Sequence, residues 1–205
     1  MNASITSSQN NLSNRAGIDD VKSYCDQLAV QSQAAARNLV SLSGTERDAA
    51  LRAIADCMLA ASVTIQQANA KDLAAGADNG LSSAMLDRLK LDEDRIQGMA
   101  KSVRQIADQI DPVGQIIEGY VRPNGIRLEK VRVPIGVILI IFESRPNVTS
   151  DAAALCIKSG NAVILRGGKE ALHSNAAIAQ CVRDGLSQVG VNQDASLTLL
   201  QLSTN

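Results

Sequence analysis

The chain has 205 residues, 45% of them hydrophobic, and a formal net charge of −1. That length holds one domain, or one and a half, with a sizeable core, and the near-neutral charge argues against a general nucleic-acid binder, which carries a basic excess. The longest apolar run, Gly136 to Phe142, is too short to span a bilayer, and no basic segment followed by an apolar block opens the chain as a secretory signal would.

Residues 1 to 17 are rich in Ser and Asn and read as a frayed tail. Residues 18 to 110 read as helical. From Asp19 to about Leu42 the apolar residues Val21, Cys25, Leu28, Ala29, Ala35 and Leu39 recur at helical spacing. Ser43-Gly44-Thr45-Glu46 has the capping-box form, so a second helix starts there and is expected to run to about Asn69. A short helix follows around Lys71 to Ala75, ended by Gly76 and the Asn79-Gly80 pair. Helices are expected over Ser83 to Leu89 and Asp92 to Gln109, the latter with acidic residues in its first turn.

The pattern changes at Asp111-Pro112. Residues 113 to 133 read as a hairpin turning at Pro123-Asn124-Gly125. Within it IRLEKVRV alternates apolar and charged residues, as a strand with one wet face does. GVILIIF, residues 136 to 142, is apolar throughout, as expected of a central strand buried on both faces. A strand–helix rhythm then runs from 134 to 205: helix 148–159, strand 161–166, helix 173–189, strand 196–202. The class is α/β, with parallel βαβ units of a doubly wound sheet.

The core is aliphatic, since Tyr24, Tyr120 and Phe142 are the only aromatic residues. Cys25, Cys57, Cys156 and Cys181 form no C-x-x-C pair and read as reduced, core or near-core thiols of a cytoplasmic protein. His173 is the only histidine, which excludes His-rich metal sites and disfavours a Ser-His-Asp triad; no metal is expected.

Two strand ends draw attention, because α/β sheets bind ligands outside the carboxyl ends of their strands. In ILRGGKEALHSN, Arg166 and Lys169 supply positive charge, while Gly167 and Gly168 let a ligand approach the backbone. The alternative is a tight turn with two solvated cations and Ser174 as helix N-cap. In FESRPNVTSD, Glu143, Arg145 and Asn147 crowd the same rim. The alternative there is that Arg145 pairs with Glu143 or Asp151 and Asn147 caps the helix. Neither G-x-G-x-x-G nor G-x-x-x-x-G-K-[ST] occurs.

Together these stretches, VPIGVILIIFESRPNVTSDAAALCIKSGNAVILRGGKEALHSNAAI, resemble the γ-glutamyl phosphate reductase (glutamate-5-semialdehyde dehydrogenase) family of the aldehyde dehydrogenase superfamily. LDRLKLDEDRIQGMAKSVRQIADQIDPVGQ and RPNGIRLEKVRVPIGV extend the resemblance over residues 20 to 200. It implies that the chain is the N-terminal part of a Rossmann-like NADP-binding domain. It implies NADPH-dependent reduction of γ-glutamyl phosphate to glutamate semialdehyde plus phosphate, in proline biosynthesis, by attack of a cysteine thiolate on the acyl phosphate. Arg166 takes the place of the residue that holds the adenosine ribose, and Lys169, His173 and Ser174 meet the 2′-phosphate. Asn147 or Glu143 lies where the superfamily keeps a catalytic asparagine amide, and Arg145 binds a substrate carboxylate or phosphate. The hairpin at 113–133 is similar to the superfamily's oligomerisation arm, so the full-length form is expected to be a homo-oligomer. The resemblance places the nucleophilic cysteine and the catalytic domain beyond residue 205, so this chain alone is expected to be poorly stable and inactive. The alternative is a non-catalytic nucleotide-binding or subunit-interacting fragment.

Overall fold

In a computed structural model of the chain, residues 4–198 are described, with side chains from residue 21 onward. The first helix, α1 (Ser4–Ser41), takes in the segment read as a frayed tail, whose backbone is helical from Ser4. No proline interrupts it. Its C-terminal half is anchored: Leu28, Ser32, Ala35, Ala36 and Leu39 are buried, whereas no residue from Val21 to Gln27 is. Cys25 therefore is exposed, against the expectation of a near-core thiol.

Next come α2 (Gly44–Ala60) and α3 (Ser62–Asp78). The capping box forms as expected: the Glu46 N–H donates to Ser43 Oγ at 3.3 Å, and the Ser43 N–H donates to Glu46 Oε2 at 2.7 Å. The helix does not run on to Asn69; it breaks at Ala61, and α3 replaces the short helix expected at 71–75. No glycine or proline marks that point. The break coincides with a tertiary contact, in which the Ser62 hydroxyl donates to Glu93, which also accepts from Gln66 Nε2 at 3.1 Å. Gly76 does not end α3. A Cβ there would lie 2.9 Å from Leu81 and 3.1 Å from Leu86, so this glycine makes room for the returning chain. Asn79-Gly80 ends the helix, with Gly80 at φ +75°.

The next two, α4 (Ser83–Leu89) and α5 (Glu93–Ala107), begin at the side-chain caps Ser82 and Asp92. The buried face of α5, made by Ile96, Met99, Ala100, Val103, Ile106 and Ala107, packs on α2. Between α5 and the strands, the buried Arg47 guanidinium donates to Asp111 Oδ2 at 2.7 Å and the Val113 N–H to Asp111 Oδ1 at 3.0 Å. This anchors the base of the hairpin.

Strands β1 (Ile116–Val121) and β2 (Arg127–Val131) pair antiparallel, with Tyr120 opposite Leu128 and Gly125 at φ +84° in the turn. Every residue of both strands is exposed, not only one face. The alternation seen in the sequence has no core to face, because the hairpin stands away from the body and its residues touch mainly each other.

The remaining strands, β3 (Val137–Ile141), β4 (Ala162–Arg166) and β5 (Ser196–Thr198), form one parallel sheet in that order. The strand expected over 196–202 extends past residue 198, outside the described residues. Helices α6 (Asn147–Lys158) and α7 (Leu172–Gln188) make the crossovers, pack on each other and on α2, and α1 lies against the sheet. β4, not β3, is the central strand. Among the described residues β3 is hydrogen-bonded to a strand along one edge only, and Leu139 and Ile141 are 56% and 65% exposed. Its uniform apolarity therefore does not report burial on both faces. At the centre of the α2–α7 contact is Gly185, where a Cβ would lie 2.6 Å from both the N and the Cα of Ile54. No helix among the described residues is long and apolar enough to cross a membrane.

Candidate functional site

Parallel register brings the two singled-out stretches together. Ile141 pairs with Arg166, and the Phe142 N–H donates to the Arg166 carbonyl at 3.0 Å. The loops leaving β3 and β4 therefore start side by side at the carboxyl end of the sheet. Ser144 on the first loop donates its hydroxyl to Glu170 on the second. That bond, helped by the nearby Lys169 charge, holds the Glu170 carboxyl below its ordinary range. Deeper, Thr149 Oγ1 donates to Asn175 Oδ1 at 3.0 Å and ties α6 to α7.

Gly167 and Gly168 are filled by protein rather than left open to a ligand. A Cβ on Gly167 would lie 2.2 Å from Asn175 Nδ2 and 3.1 Å from the Phe142 ring. One on Gly168 would lie 2.2 Å from Ser144 Oγ and 3.0 Å from the Ser144 backbone nitrogen. The two glycines let the strand-end loops touch.

Arg166, Lys169 and Arg145 are exposed and have no ion-pair partner within 4.0 Å among the described residues. Arg145 pairs with neither Glu143 nor Asp151. Asn147 does not cap α6; its amide donates to Asp151 Oδ2 at 3.1 Å. The other oxygen, Asp151 Oδ1, is buried without a partner, and burial pushes the Asp151 carboxyl up.

Ser174 is neither the N-cap nor part of the rim. It is fully buried in α7, and both its N–H (2.7 Å) and its hydroxyl (2.6 Å) donate to Asp72 Oδ2. The His173 N–H donates to Asp72 Oδ1 at 3.1 Å. Asn69, also on α3, donates to Ser174 Oγ at 3.0 Å and to the Leu89 carbonyl at 2.8 Å, and accepts from the Leu91 N–H at 2.7 Å. The Asp72 carboxylate thus already serves the first amides of α7. Sequence reading missed Asn69 and Asp72, since their partners lie far along the chain.

Two cavities flank Glu170. One, of about 450 Å³, is lined by Asp72, Asn79, Leu81, Lys169, Glu170 and His173. The other, of about 410 Å³, is lined by Met85, Arg88, Glu143, Ser144, Arg145 and Glu170, among others. Both volumes suit small-molecule sites, which run to roughly 300–1,000 Å³. Arg88 and Ser144 were not singled out from the sequence. Three of the cysteines are not tuned for nucleophilic work: burial pushes the buried Cys156 and Cys181 thiols up to about 11 and raises Cys57. No group of three or more His, Cys, Asp or Glu among the described residues is placed to hold a metal ion.

No family model matches the chain. A protein named gamma-glutamyl phosphate reductase from Novosphingobium aromaticivorans is 51% identical over 177 residues, covering 86% of this chain and 42% of that protein. The crystal structure of gamma-glutamyl phosphate reductase from Thermotoga maritima superposes with a TM-score of 0.83 at 35% identity, over 86% of this chain and 43% of the other. That of the Saccharomyces cerevisiae enzyme of the same name gives 0.79 at 34%, over 86% and 46%. An acetylating aldehyde dehydrogenase from Geobacillus thermoglucosidasius, at 14% identity and a TM-score of 0.66, shares the fold over 92% of this chain and 39% of its own. The chain spans less than half the length of these relatives. In sequence and fold the chain matches the N-terminal part of γ-glutamyl phosphate reductases, and it shares its fold with aldehyde dehydrogenases.

Proposed function

We propose that this chain is the cofactor-binding part of an enzyme that reduces γ-glutamyl phosphate to glutamate 5-semialdehyde with NADPH, releasing phosphate, in proline biosynthesis. The observation that carries the reading is the set of exposed cations at the carboxyl ends of β3 and β4 with no ion-pair partner within 4.0 Å among the described residues, in a chain related to proteins bearing that name. Exposed guanidinium, ammonium and imidazole groups are the donor chemistry a phosphorylated dinucleotide needs. Arg166 would hold the adenosine ribose, with Lys169 and His173 toward a 2′-phosphate; Ser174, committed to Asp72, is left out. Bound NADPH supplies the hydride. The chain's own residues bind and orient. Arg145, with Glu143, would meet the charged ends of the substrate. The Asn147 amide, oriented by Asp151, would have its second N–H available to an oxyanion. Four unpaired cysteines suit a reducing, cytoplasmic setting.

The test is stabilisation of the chain by NADPH and by NADH. A ligand specific to the folded state at 100 times its Kd stabilises by about 2.7 kcal/mol. A larger shift with NADPH at equal concentration is the expected result, and indifference to millimolar NADPH refutes the cofactor assignment.

One observation favours a second reading, in which the chain binds cofactor or a second subunit without turnover. Ile116, Ile117, Tyr120, Val121 and Ile126 of the hairpin are all more than half exposed. Such apolar exposure suits a subunit contact. Binding of NADPH with no hydride transfer, by a chain that self-associates through 113–133, is its signature.

A further inference from the structure

We propose that Arg88 is a substrate-binding residue, which with Arg145 recognises the two anionic ends of an α-amino-acid acyl phosphate in the 410 Å³ cavity between α4 and the β3 loop. The inference rests on the reaction proposed above and extends it to the N-terminal helices.

Arg88 sits in the last turn of α4, exposed, and its side chain makes no hydrogen bond or ion pair among the described residues. Its neighbours are all committed. Asp87 is taken by Arg95 at 2.9 Å, and Lys90 pairs with Asp92 at 3.3 Å. Arg88 is therefore left as the uncommitted cation of this turn, and it borders the cavity that Arg145 borders from the other side of the sequence. Two carboxylates share the lining. Glu170 is engaged by the Ser144 hydroxyl, whereas Glu143 has no ion-pair partner among the described residues. Two free guanidinium groups and one free carboxylate complement a ligand with two anionic groups and one cation. An amino acid with a distal acyl phosphate has that charge set: α-carboxylate, phosphate and α-ammonium. Leu81, Met85 and Leu89 offer an apolar wall to its methylenes. Arg166 and Lys169, assigned above to the cofactor, do not line this cavity. A purely structural alternative exists, since a cation near the C-terminus of a helix is favourable to that helix.

The experiment is calorimetric titration of the 205-residue chain, as wild type, Arg88→Ala and Arg88→Lys, with two probes. One is NADP⁺. The other is the phosphonomethyl ketone analogue of γ-glutamyl phosphate, in which a methylene replaces the bridging oxygen. The expected result is that Arg88→Ala weakens the analogue by about tenfold or more, as loss of hydrogen bonds to a charged group does. Arg88→Lys, which keeps the charge and loses the fork, should fall between, and all three should bind NADP⁺ alike. Undiminished analogue binding by Arg88→Ala overturns the proposal and leaves the reaction standing. Binding of NADP⁺ without the analogue by the wild type removes the amino-acid site and leaves the cofactor assignment. Parallel weakening of both probes assigns Arg88 to the helix alone and also overturns it. If the wild type binds neither, the proposed reaction itself falls.

Discussion

Replacing Gly185 by alanine tests whether the α2–α7 contact fixes the helix that opens at the site. The new Cβ would stand 2.6 Å from two backbone atoms of Ile54, and ordinary contact begins at 3.4 Å, so the helices must part by 3.4 − 2.6 = 0.8 Å. Backbone cannot rotate away as a side-chain tip can. Overpacking of this kind costs about 1–3 kcal/mol. The gain in helix propensity from glycine to alanine offsets about 1 kcal/mol of it, so a net loss of up to about 2 kcal/mol is expected. Gly98 on α5 is the control. It is exposed, and a Cβ there meets nothing within 4 Å, so Gly98→Ala should stabilise by up to about 1 kcal/mol. Urea unfolding followed by far-UV circular dichroism measures both. Opposite signs are required; if Gly185→Ala stabilises as Gly98→Ala does, the helix contact is looser than described.

Other outcomes follow from the site itself. Asp72→Ala should lower unfolding free energy by about 2–4 kcal/mol in the same assay, because the amides of His173 and Ser174 and the Ser174 hydroxyl lose their acceptor. Arg166→Ala should weaken NADPH more than NADH by calorimetry; equal weakening means that Arg166 does not read the 2′-phosphate. The Asp151 carboxyl is raised by burial, so its contribution to stability falls as pH rises through its folded value. Asp151→Asn should therefore stabilise the chain at neutral pH, and the gain should vanish below about pH 3, where the carboxyl is protonated in both states. Glu46 has the opposite sign. Its carboxyl is lowered by the Ser43 side chain and backbone, so its contribution is present above about pH 4 and lost as pH falls further. Glu46→Gln should flatten that part of the acid limb in thermal melts.

The parts of the fold that were legible in the sequence are those written in local chemistry. Ser43 starts its helix as a cap, Asn124-Gly125 turns the hairpin, and the strand–helix rhythm after Pro134 gives the parallel sheet. The misread features depend on distant partners. The break at Ala61 coincides with the Ser62–Glu93 contact, and Gly76 is a glycine because Leu81 and Leu86 return over it. At the site, sequence located the two loops but not what their glycines do. Gly167 and Gly168 occur where Phe142, Asn175 and Ser144 need the space, and no local pattern distinguishes that from room for a ligand.

The Asp72 lock has a consequence for how an anion is held. Helix N-termini bind phosphates through free amides and a positive dipole end. In α7 the amides of His173 and Ser174 are already bonded to a carboxylate, which also brings its own negative charge. If the proposed cofactor binds on this rim, its phosphate would have to be met by side chains, chiefly Arg166 and Lys169, and both are exposed. Exposed charges are screened by salt, over a Debye length of about 8 Å at physiological ionic strength and about 3 Å at 1 M. NADP⁺ differs from NAD⁺ by the 2′-phosphate, so the affinity for NADP⁺ should fall more steeply with sodium chloride than that for NAD⁺. Calorimetric titrations across a salt series measure the two slopes. Parallel slopes would mean that the 2′-phosphate is not met by exposed cations, and would move the search for its partner to buried groups.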